Sequence, residues 1–173
     1  MKQKAVILDR DGVILNDENH YYIYKPEHYH INNLIIENLK LLAGKGFLLI
    51  VISNQSGIDR GVYSRQDTDR INNMLQEDMQ QNGIFITEFY YCPNHPEAGN
   101  CFCRKPGSLL IEKAVAKYRL DQGKSFLIGN SESDIMAALS AGLIPFKIAS
   151  NGDISAICKQ IIQINSLMDC QEN

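Results

Sequence analysis

Mostly apolar runs of four to eight residues alternate with amphipathic segments along nearly the whole chain. Strands that are apolar throughout and separated by helices form a parallel sheet with helices on both faces. The sequence therefore predicts a three-layer α/β fold of Rossmann-like type. Strands are expected at residues 4–8, 47–53, 84–91, 125–128 and 144–149, and helices at 33–44, 64–82, 107–119, 132–141 and 153–163. The alternation His28-Tyr29-His30 indicates an additional edge strand.

Size, composition and charge limit the class of protein. At roughly 150 residues per domain, the 173 residues predict one domain over 1–173. Hydrophobic residues make up 45% and charged residues 21%, which excludes a disordered chain. Lys and Arg number 17 against 20 Asp and Glu, so no basic excess favours nucleic acid or a membrane surface. The longest apolar run, 46–52, is far shorter than the ~20 residues of a membrane helix. We expect a cytoplasmic protein with neither of these partners.

Ligands of parallel α/β sheets bind beyond the carboxyl ends of the strands. Four segments follow predicted strands and are the places to look for chemistry: residues 9–12, 53–55, 129–131 and the segment from Cys92 onward. A site assembled from these segments would draw its side chains from distant parts of the chain.

Two aspartates directly follow the first strand. In an extended segment Asp9 and Asp11 point the same way, so both carboxylates can face one site. Two like charges held close together need a cation or a shared proton, and Mg2+ suits hard oxygen ligands. Gly12 allows a sharp turn after the pair. The alternative is a loop with solvated carboxylates.

Two further segments have groups that can hold an anion. Ser53 ends the second strand, where its hydroxyl and nearby backbone N–H groups can hold an anionic oxygen. Arg104 and Lys105 precede a predicted helix, whose N-terminus normally attracts acids, so two cations there indicate a bound anion. The alternatives are an ordinary polar cap at Ser53 and a solvated basic pair.

The cysteines concentrate between the third strand and the next helix. Cys92, Cys101 and Cys103 lie within twelve residues of each other, with His95 between them. In a cytosolic chain such a pattern favours a metal site over a disulfide.

Taken together, these motifs resemble those of the haloacid dehalogenase-like phosphohydrolases. The shared pattern is Asp-x-Asp-Gly, a later Ser, a Lys before a helix, and Gly-x-x-x-x-Asp. Leu-Asp-Arg-Asp-Gly-Val, Ser-Asn-Gln-Ser-Gly-Ile-x-Arg-Gly, Tyr-Tyr-Cys-Pro and Cys-x-Cys-Arg-Lys-Pro are similar to the D-glycero-D-manno-heptose 1,7-bisphosphate phosphatases and the related histidinol-phosphate phosphatases. The likeness covers residues 4–150.

The resemblance implies a role for each matching residue. Asp9 would be the nucleophile that becomes an aspartyl phosphate, and Asp11 the general acid and base. Ser53 and Lys105 would hold the phosphoryl oxygens. Substrate contacts are implied for three further residues, Asn54, Gln55 and Arg104.

The same resemblance implies two metals and a small substrate. Mg2+ would bridge Asp9, the backbone carbonyl of Asp11 and an acid after the fourth strand. A structural Zn2+ would lie in a loop insertion at 92–103, which takes the place of a large cap domain. The substrate would be a small phosphorylated metabolite.

The sequence departs from the family pattern at the fourth strand. The family's Gly-Asp-x-x-x-Asp becomes Gly-Asn-Ser-Glu-Ser-Asp at 129–134, which puts the neutral amide of Asn130 where the family has a metal-binding carboxylate. We expect Asn130 to bind Mg2+ weakly, with Asp134 or Glu132 compensating through water. The alternative is a catalytically weak homologue that binds a phosphorylated ligand.

A second departure lies in the cysteine loop. The family's Cys-x-His and Cys-x-Cys become Cys-x-Asn-His and Cys-x-Cys, so Asn94 takes the usual ligand position. Because Cys-x2-His is a workable zinc spacing, we expect the four zinc ligands Cys92, His95, Cys101 and Cys103. A loop without zinc and with three free thiols is the alternative.

These inferences converge on a Mg2+-dependent phosphomonoester hydrolase. By resemblance its substrate is D-glycero-D-manno-heptose 1,7-bisphosphate, a precursor of the lipopolysaccharide core, with loss of the 7-phosphate. Histidinol phosphate or another sugar phosphate is the alternative substrate.

Overall fold

A computed structural model of the protein describes residues 2–99 and 101–171. Within these residues five strands form one parallel sheet in the order β3-β2-β1-β4-β5, with β1 at the centre. This confirms the predicted sheet. The strands are β1 (Ala5–Leu8), β2 (Leu48–Asn54), β3 (Ile86–Cys92), β4 (Phe126–Gly129) and β5 (Ile144–Lys147).

A helix follows each strand. They are α1 (Ile35–Gly44), α2 (Arg65–Gln81), α3 (Leu109–Tyr118), α4 (Glu132–Ser140) and α5 (Ser155–Gln171). Capping boxes begin α2, through Ser64 and Asp67, and α4, through Ser131 and Asp134. In each box the serine oxygen and the aspartate carboxylate satisfy backbone N–H groups that the first turn leaves free.

The sheet has a separate hydrophobic core on each face. Val6 and Leu8 point to the side covered by α1, α2 and α5, whereas Ala5 and Ile7 point to the side covered by α3 and α4. This alternation follows from the two-residue period of a strand. Because β1 is fully buried on both faces, it had to be apolar throughout, and the predicted three-layer architecture is confirmed.

Most predicted bounds differ from the observed ones by one or two residues, and some differences are larger. The expected edge strand at 28–30 is wrong, because Pro26–His28 forms a single 3-10 turn. Helix α3 begins two residues later than expected, after its N-cap Ser108. Helix α5 continues eight residues beyond the expected end at 163, and Asn165 in this extension is buried.

The connections at the carboxyl edge stay small. In the described part of the chain, the segment after β1 has the turn Pro26–His28 and the segment after β3 has the turn Pro96–Ala98, with no cap domain in either.

Among residues 2–99 and 101–171, the helices are all too short or too polar to cross a bilayer.

Candidate active site

The carboxyl ends of β1, β2 and β4 lie side by side and bring the predicted site residues together. Leu8 pairs with Val51 on one side and with Ile128 on the other. The backbone N–H of Asp9 then donates to the Ile128 carbonyl at 3.0 Å. The chain leaves β1 at the centre of this edge, so residues 9–11 face the segments that follow both neighbouring strands.

Lys105 enters this edge from the loop after β3. Its Nζ lies 3.0 Å from Asp9 Oδ1 and 2.6 Å from Asp134 Oδ1, and it donates to the Ile52 carbonyl at 2.7 Å. The side chain is only 3% exposed. A buried ammonium is tolerated because two carboxylates and a carbonyl replace its water, so Lys105 is fixed beside the predicted nucleophile.

Asn54 holds the Lys105 backbone in place. Its Nδ2 donates to the Lys105 carbonyl and its Oδ1 accepts from the Lys105 N–H, both at 3.0 Å. We expected Asn54 to contact substrate. In the structure both atoms of its amide instead bind the loop that carries the lysine, which makes Asn54 a positioning residue.

The surroundings of Asp9, the predicted nucleophile, compensate the negative charge of its carboxylate only in part. Burial raises its pKa, and the negative charges of Asp134 and Asp11 raise it further, while Lys105 acts in the opposite direction. The net direction is upward. The site therefore favours an additional cation close to Asp9.

Asp11 is fixed by Arg10, a residue that sequence reasoning treated only as a spacer between two acids. Arg10 Nε donates to Asp11 Oδ1 at 2.8 Å, and its Nη2 donates to Oδ2 at 3.0 Å. The guanidinium also donates to the Ile23 carbonyl and to Asn72 Oδ1. Arg10 is completely buried, and such a two-pronged contact fixes the position of Asp11.

Gln55 links Asp11 to Ser53. Its Nε2 donates to Asp11 Oδ2 at 2.9 Å and to Ser53 Oγ at 3.0 Å, and Tyr63 donates to its Oε1 at 2.7 Å. Sequence reasoning did not identify Tyr63. A side chain on Gly57 would collide with the Tyr63 ring. The glycine in Ser-Asn-Gln-Ser-Gly was the signal that something packs closely there.

Asn130 lies over the turn after Asp11. Its Nδ2 is 3.4 Å from the Asp11 carbonyl and 3.1 Å from Ser150 Oγ. Gly12 has a φ of +77°, and a Cβ at this position would strike the Asn130 amide and Ser150 Oγ. The turn therefore requires glycine. Mg2+ prefers oxygen ligands. Three groups here contain such atoms, namely the Asp9 carboxylate, the Asp11 carbonyl and the Asn130 amide.

The structure gives the two acids in α4 different partners. Asp134 is fully buried, with Oδ1 bound to Lys105 and Oδ2 accepting from the N–H and Oγ of Ser131. Gly129 is needed beside it, because a Cβ there would strike the Asp134 side chain. Glu132 pairs with Lys147 at the surface. Asp134 is therefore an ion-pair partner of Lys105 and the hydrogen-bond partner of Ser131.

A cavity of about 400 Å³ adjoins Lys105. It is lined on one side by the loop after β3, including Arg104, and on the other by Ser133 at the start of α4. Arg104 also donates to the Asn94 carbonyl at 3.2 Å. A guanidinium and an ammonium on one wall make this cavity suited to an anionic ligand.

The three thiols of the loop after β3 converge. The Sγ distances are 3.5 Å for Cys92–Cys101, 3.0 Å for Cys101–Cys103 and 2.9 Å for Cys103–Cys92. Among residues 2–99 and 101–171, these three form the single group of cysteine, histidine or acidic side chains close enough to share a metal ion. The structure does not bring the predicted ligand His95 to them.

Asn94, and not the predicted ligand His95, contacts the thiols. Asn94 Nδ2 lies 3.1 Å from Cys101 Sγ, whereas His95 Nδ1 accepts from the Glu97 N–H at 3.3 Å. Burial raises the pKa of Cys101, but hydrogen bonds from Cys103, Asn94 and Cys92 outweigh it and lower the pKa to about 6. The lowering is confined to Cys101, because burial raises the pKa of Cys92 and that of Cys103.

Comparisons with known proteins agree with this geometry. A HAD-hydrolase-like family model matches residues 102–150. The D-glycero-alpha-D-manno-heptose-1,7-bisphosphate 7-phosphatase of Photorhabdus laumondii is 36% identical, with 82% of this chain and 80% of that protein covered. The D-glycero-beta-D-manno-heptose-1,7-bisphosphate 7-phosphatase of Helicobacter pylori strain 26695 is 39% identical, with 80% and 79% covered.

A solved structure supports the same fold. The D,D-heptose 1,7-bisphosphate phosphatase of B. bronchiseptica, complexed with magnesium and phosphate, superposes with a TM-score of 0.85. It is 24% identical, and 94% of this chain and 99% of that chain are covered. With full-length relatives above 30% identity and a sheet edge that carries the expected aspartates and lysine, the chain belongs to the heptose-1,7-bisphosphate 7-phosphatase family of haloacid dehalogenase-like phosphatases.

Proposed function

We propose that this phosphatase removes the 7-phosphate of D-glycero-D-manno-heptose 1,7-bisphosphate, with Asp9 as its nucleophile. The observation that best supports the role of Asp9 is its place at the carboxyl end of the central strand, 3.0 Å from a buried lysine. The substrate is inferred from the names of relatives that are 33–39% identical to this chain. These relatives are named for the alpha or the beta anomer, so both are candidates.

In the proposed reaction an Asp9 oxygen attacks the phosphorus atom and the bond to the sugar oxygen breaks. Asp11 protonates that leaving oxygen. It then takes a proton from a water molecule, which attacks the aspartyl phosphate and releases inorganic phosphate. Lys105 and Ser53 would hold the phosphoryl oxygens as charge develops on them. Arg10 and Gln55 would keep Asp11 aimed at the leaving group.

We propose Mg2+ as the cofactor. The Asp9 carboxylate and the Asp11 carbonyl would hold it, together with the Asn130 side-chain oxygen once that amide has turned from the position in which its Nδ2 faces the Asp11 carbonyl. When bound it would offset the repulsion between an anionic nucleophile and an anionic phosphate. At 4 Å two unit charges repel by about 4 kcal/mol at an effective dielectric of 20. Asp134 is left out of this ligand set because its carboxylate is buried against Lys105 and Ser131.

Arg104 is the side chain we propose for binding the rest of the substrate. It lines the cavity next to Lys105 and offers a planar set of donors suited to a phosphate or sugar hydroxyls. The heptose product would serve lipopolysaccharide-core synthesis. We propose the cytoplasm as its location, because three thiols within 3.5 Å of each other stay reduced only in a reducing compartment.

Histidinol phosphate is the second candidate substrate. The histidine biosynthesis bifunctional protein HisB of Baumannia cicadellinicola is 29% identical over 95% of this chain, although the match spans only 47% of that protein. A test must therefore offer both classes of phosphate ester to the same preparation.

The proposed function is tested by phosphate release from the alpha and beta heptose bisphosphates and from histidinol phosphate, with and without Mg2+. We expect one heptose anomer to give the highest kcat/KM and to need Mg2+, with Asp9→Asn as the inactive control. A preference for histidinol phosphate would overturn the substrate. Absence of turnover on the whole panel at saturating Mg2+ would identify a homologue that binds without catalysis.

A further inference from the structure

The loop after β3 departs from its own family at one corner of the thiol cluster. Cys92, Cys101 and Cys103 converge as three sides of a possible metal site, and Cys92 is fully buried. Thiolates of this kind bind Zn2+, which is four-coordinate in structural sites. The remaining question is which group fills the fourth position in this chain.

His95 is engaged elsewhere. Its backbone N–H donates to Asp59 Oδ2 at 3.0 Å, and its Nδ1 accepts from the Glu97 N–H. Nδ1 also lies 3.6 Å from the Glu97 carboxylate. These contacts hold the imidazole on the side of the 3-10 turn Pro96–Ala98, away from the sulfur atoms.

Asn94 is the neighbour that contacts the thiols instead. Its Nδ2 donates to Cys101 Sγ at 3.1 Å. An amide oxygen is a hard ligand. It suits Mg2+ or Ca2+ better than it suits the softer metals that thiolates bind. The Asn94 side chain therefore lies next to the thiols, but its amide is chemically unsuited to bind the same zinc ion.

We propose that this chain binds one Zn2+ through Cys92, Cys101 and Cys103 alone, and that an exchangeable water molecule beside Asn94 fills the fourth coordination position. A three-thiolate site of this kind holds zinc more weakly, and exchanges it faster, than a site with four protein ligands. The inference does not depend on which phosphate ester the enzyme hydrolyses.

The site is connected to the cavity next to Lys105. The Asn94 carbonyl accepts from Arg104 at 3.2 Å, and Cys101 and Arg104 both line the cavity. Zinc that binds and leaves would therefore stiffen and loosen the wall on which Arg104 lies. A fourth protein ligand would hold the zinc permanently, and the stiffness of the cavity wall would then stay constant.

The test measures zinc affinity by competition with a chromogenic chelator on purified, reduced protein. The wild type is compared with Asn94→His, Asn94→Ala, His95→Ala and Cys103→Ser, each first checked for native circular dichroism. We expect Asn94→His to tighten binding by more than about tenfold, because even groups outside the coordination shell change metal affinity by about ten- to a hundredfold. Asn94→Ala and His95→Ala should match the wild type, and Cys103→Ser should bind much more weakly.

Cobalt substitution gives a second readout that is independent of activity. The wild type should show sulfur-to-cobalt charge transfer, and the cobalt spectrum should change in Asn94→His but stay the same in His95→Ala. A loss of affinity or a changed spectrum in His95→Ala would overturn the proposal and make His95 the fourth ligand. A loss in Asn94→Ala would make the amide a ligand, and failure of the wild type to bind zinc or cobalt would rule out the site.

Discussion

The charged cluster at the end of β1 and the thiol cluster after β3 lie at the same edge of the sheet but are held in different ways. Lys105 touches Asp9, Asp134 and Ile52, which come from three separate segments of the chain. The three thiols lie within twelve residues of each other and contact mainly their own loop. A change in the first cluster disturbs several elements, whereas a change in the second stays local.

This difference explains where the chain has departed from its family. Asn94 alters one corner of a local loop, and its side chain still forms a hydrogen bond with Cys101. Asn130 lies at the rim of the charged cluster, beside Ser150. The interior residues Asp9, Asp11 and Lys105 each have partners that substitution would leave unpaired. The predictions below test this contrast, from the largest expected effect to the smallest.

Asp9→Asn should lower kcat by at least about a thousandfold, as is typical when a residue that acts directly in the chemistry is lost. The substitution preserves the shape of the side chain, so the fold should remain. Phosphate release and a thermal melt on the same preparation check both statements. Residual activity of more than a few per cent in a clean preparation would show that Asp9 is not the nucleophile.

Lys105→Met should destabilise the protein by about 3–5 kcal/mol, the usual result of leaving a buried charge without its partner. The matched control is Lys117→Ala. Lys117 pairs with Glu88 but is 53% exposed, so its loss should destabilise the protein far less than the loss of Lys105, because solvent screens an exposed ion pair. Urea unfolding at neutral pH measures both variants, and equal losses would mean that the buried cluster is not energetically distinct.

The loss in Lys105→Met should also depend on pH. Lys105 lowers the pKa of Asp134 and opposes the upward shift of Asp9. Without it, burial raises both carboxyl pKa values above their unfolded values. A group with a raised folded pKa is stabilising at low pH and loses this contribution as pH rises. The deficit of the variant should therefore shrink as the pH is lowered, and a deficit that grows would contradict the assignment.

Asn130→Asp should lower the half-saturating Mg2+ concentration by about ten- to a hundredfold. The substitution adds a charge to the first shell of the proposed metal, and charge-assisted contacts contribute about 1.5–3 kcal/mol, with ~1.4 kcal/mol for each factor of ten. Activity titrated against Mg2+ provides the measurement. No change in either metal affinity or rate would show that Asn130 does not face the metal.

Strand-end residues could be found from the sequence because the rule that locates them depends on topology alone. A parallel sheet with β1 at its centre brings residues 9–11, 53–55 and 129–131 together regardless of side-chain detail. The partners of those residues could not be found in this way. Arg10 reaches Asn72 on α2, and Asp134 turns inward to Lys105, and these contacts depend on how helices pack over the sheet.

The loop after β3 shows the same limit. Spacing and ligand chemistry favoured His95 over Asn94 as the fourth zinc ligand, although neighbouring residues of a loop can each reach the same point. Their separation depends on the turn Pro96–Ala98, which holds His95 through Glu97. Periodicity does not detect a single 3-10 turn, so this choice required the structure.

Tyr63→Phe should have the smallest effect of the series and tests whether the charged cluster extends to Gln55. The Tyr63 hydroxyl donates to Gln55 Oε1, which fixes the amide so that Nε2 faces Asp11 and Ser53. Its loss should cost about 0.5–1.5 kcal/mol of stability, the usual contribution of one hydrogen bond, and should lower kcat more than it changes KM. Tyr91→Phe is the matched control, because the Tyr91 hydroxyl donates to Asp69 at the surface and lies outside the network. If Tyr63→Phe and Tyr91→Phe both have the kcat of the wild type, Asp11 and Ser53 alone orient Gln55. The network that positions Asp11, the proposed general acid, would then end at the Gln55 amide.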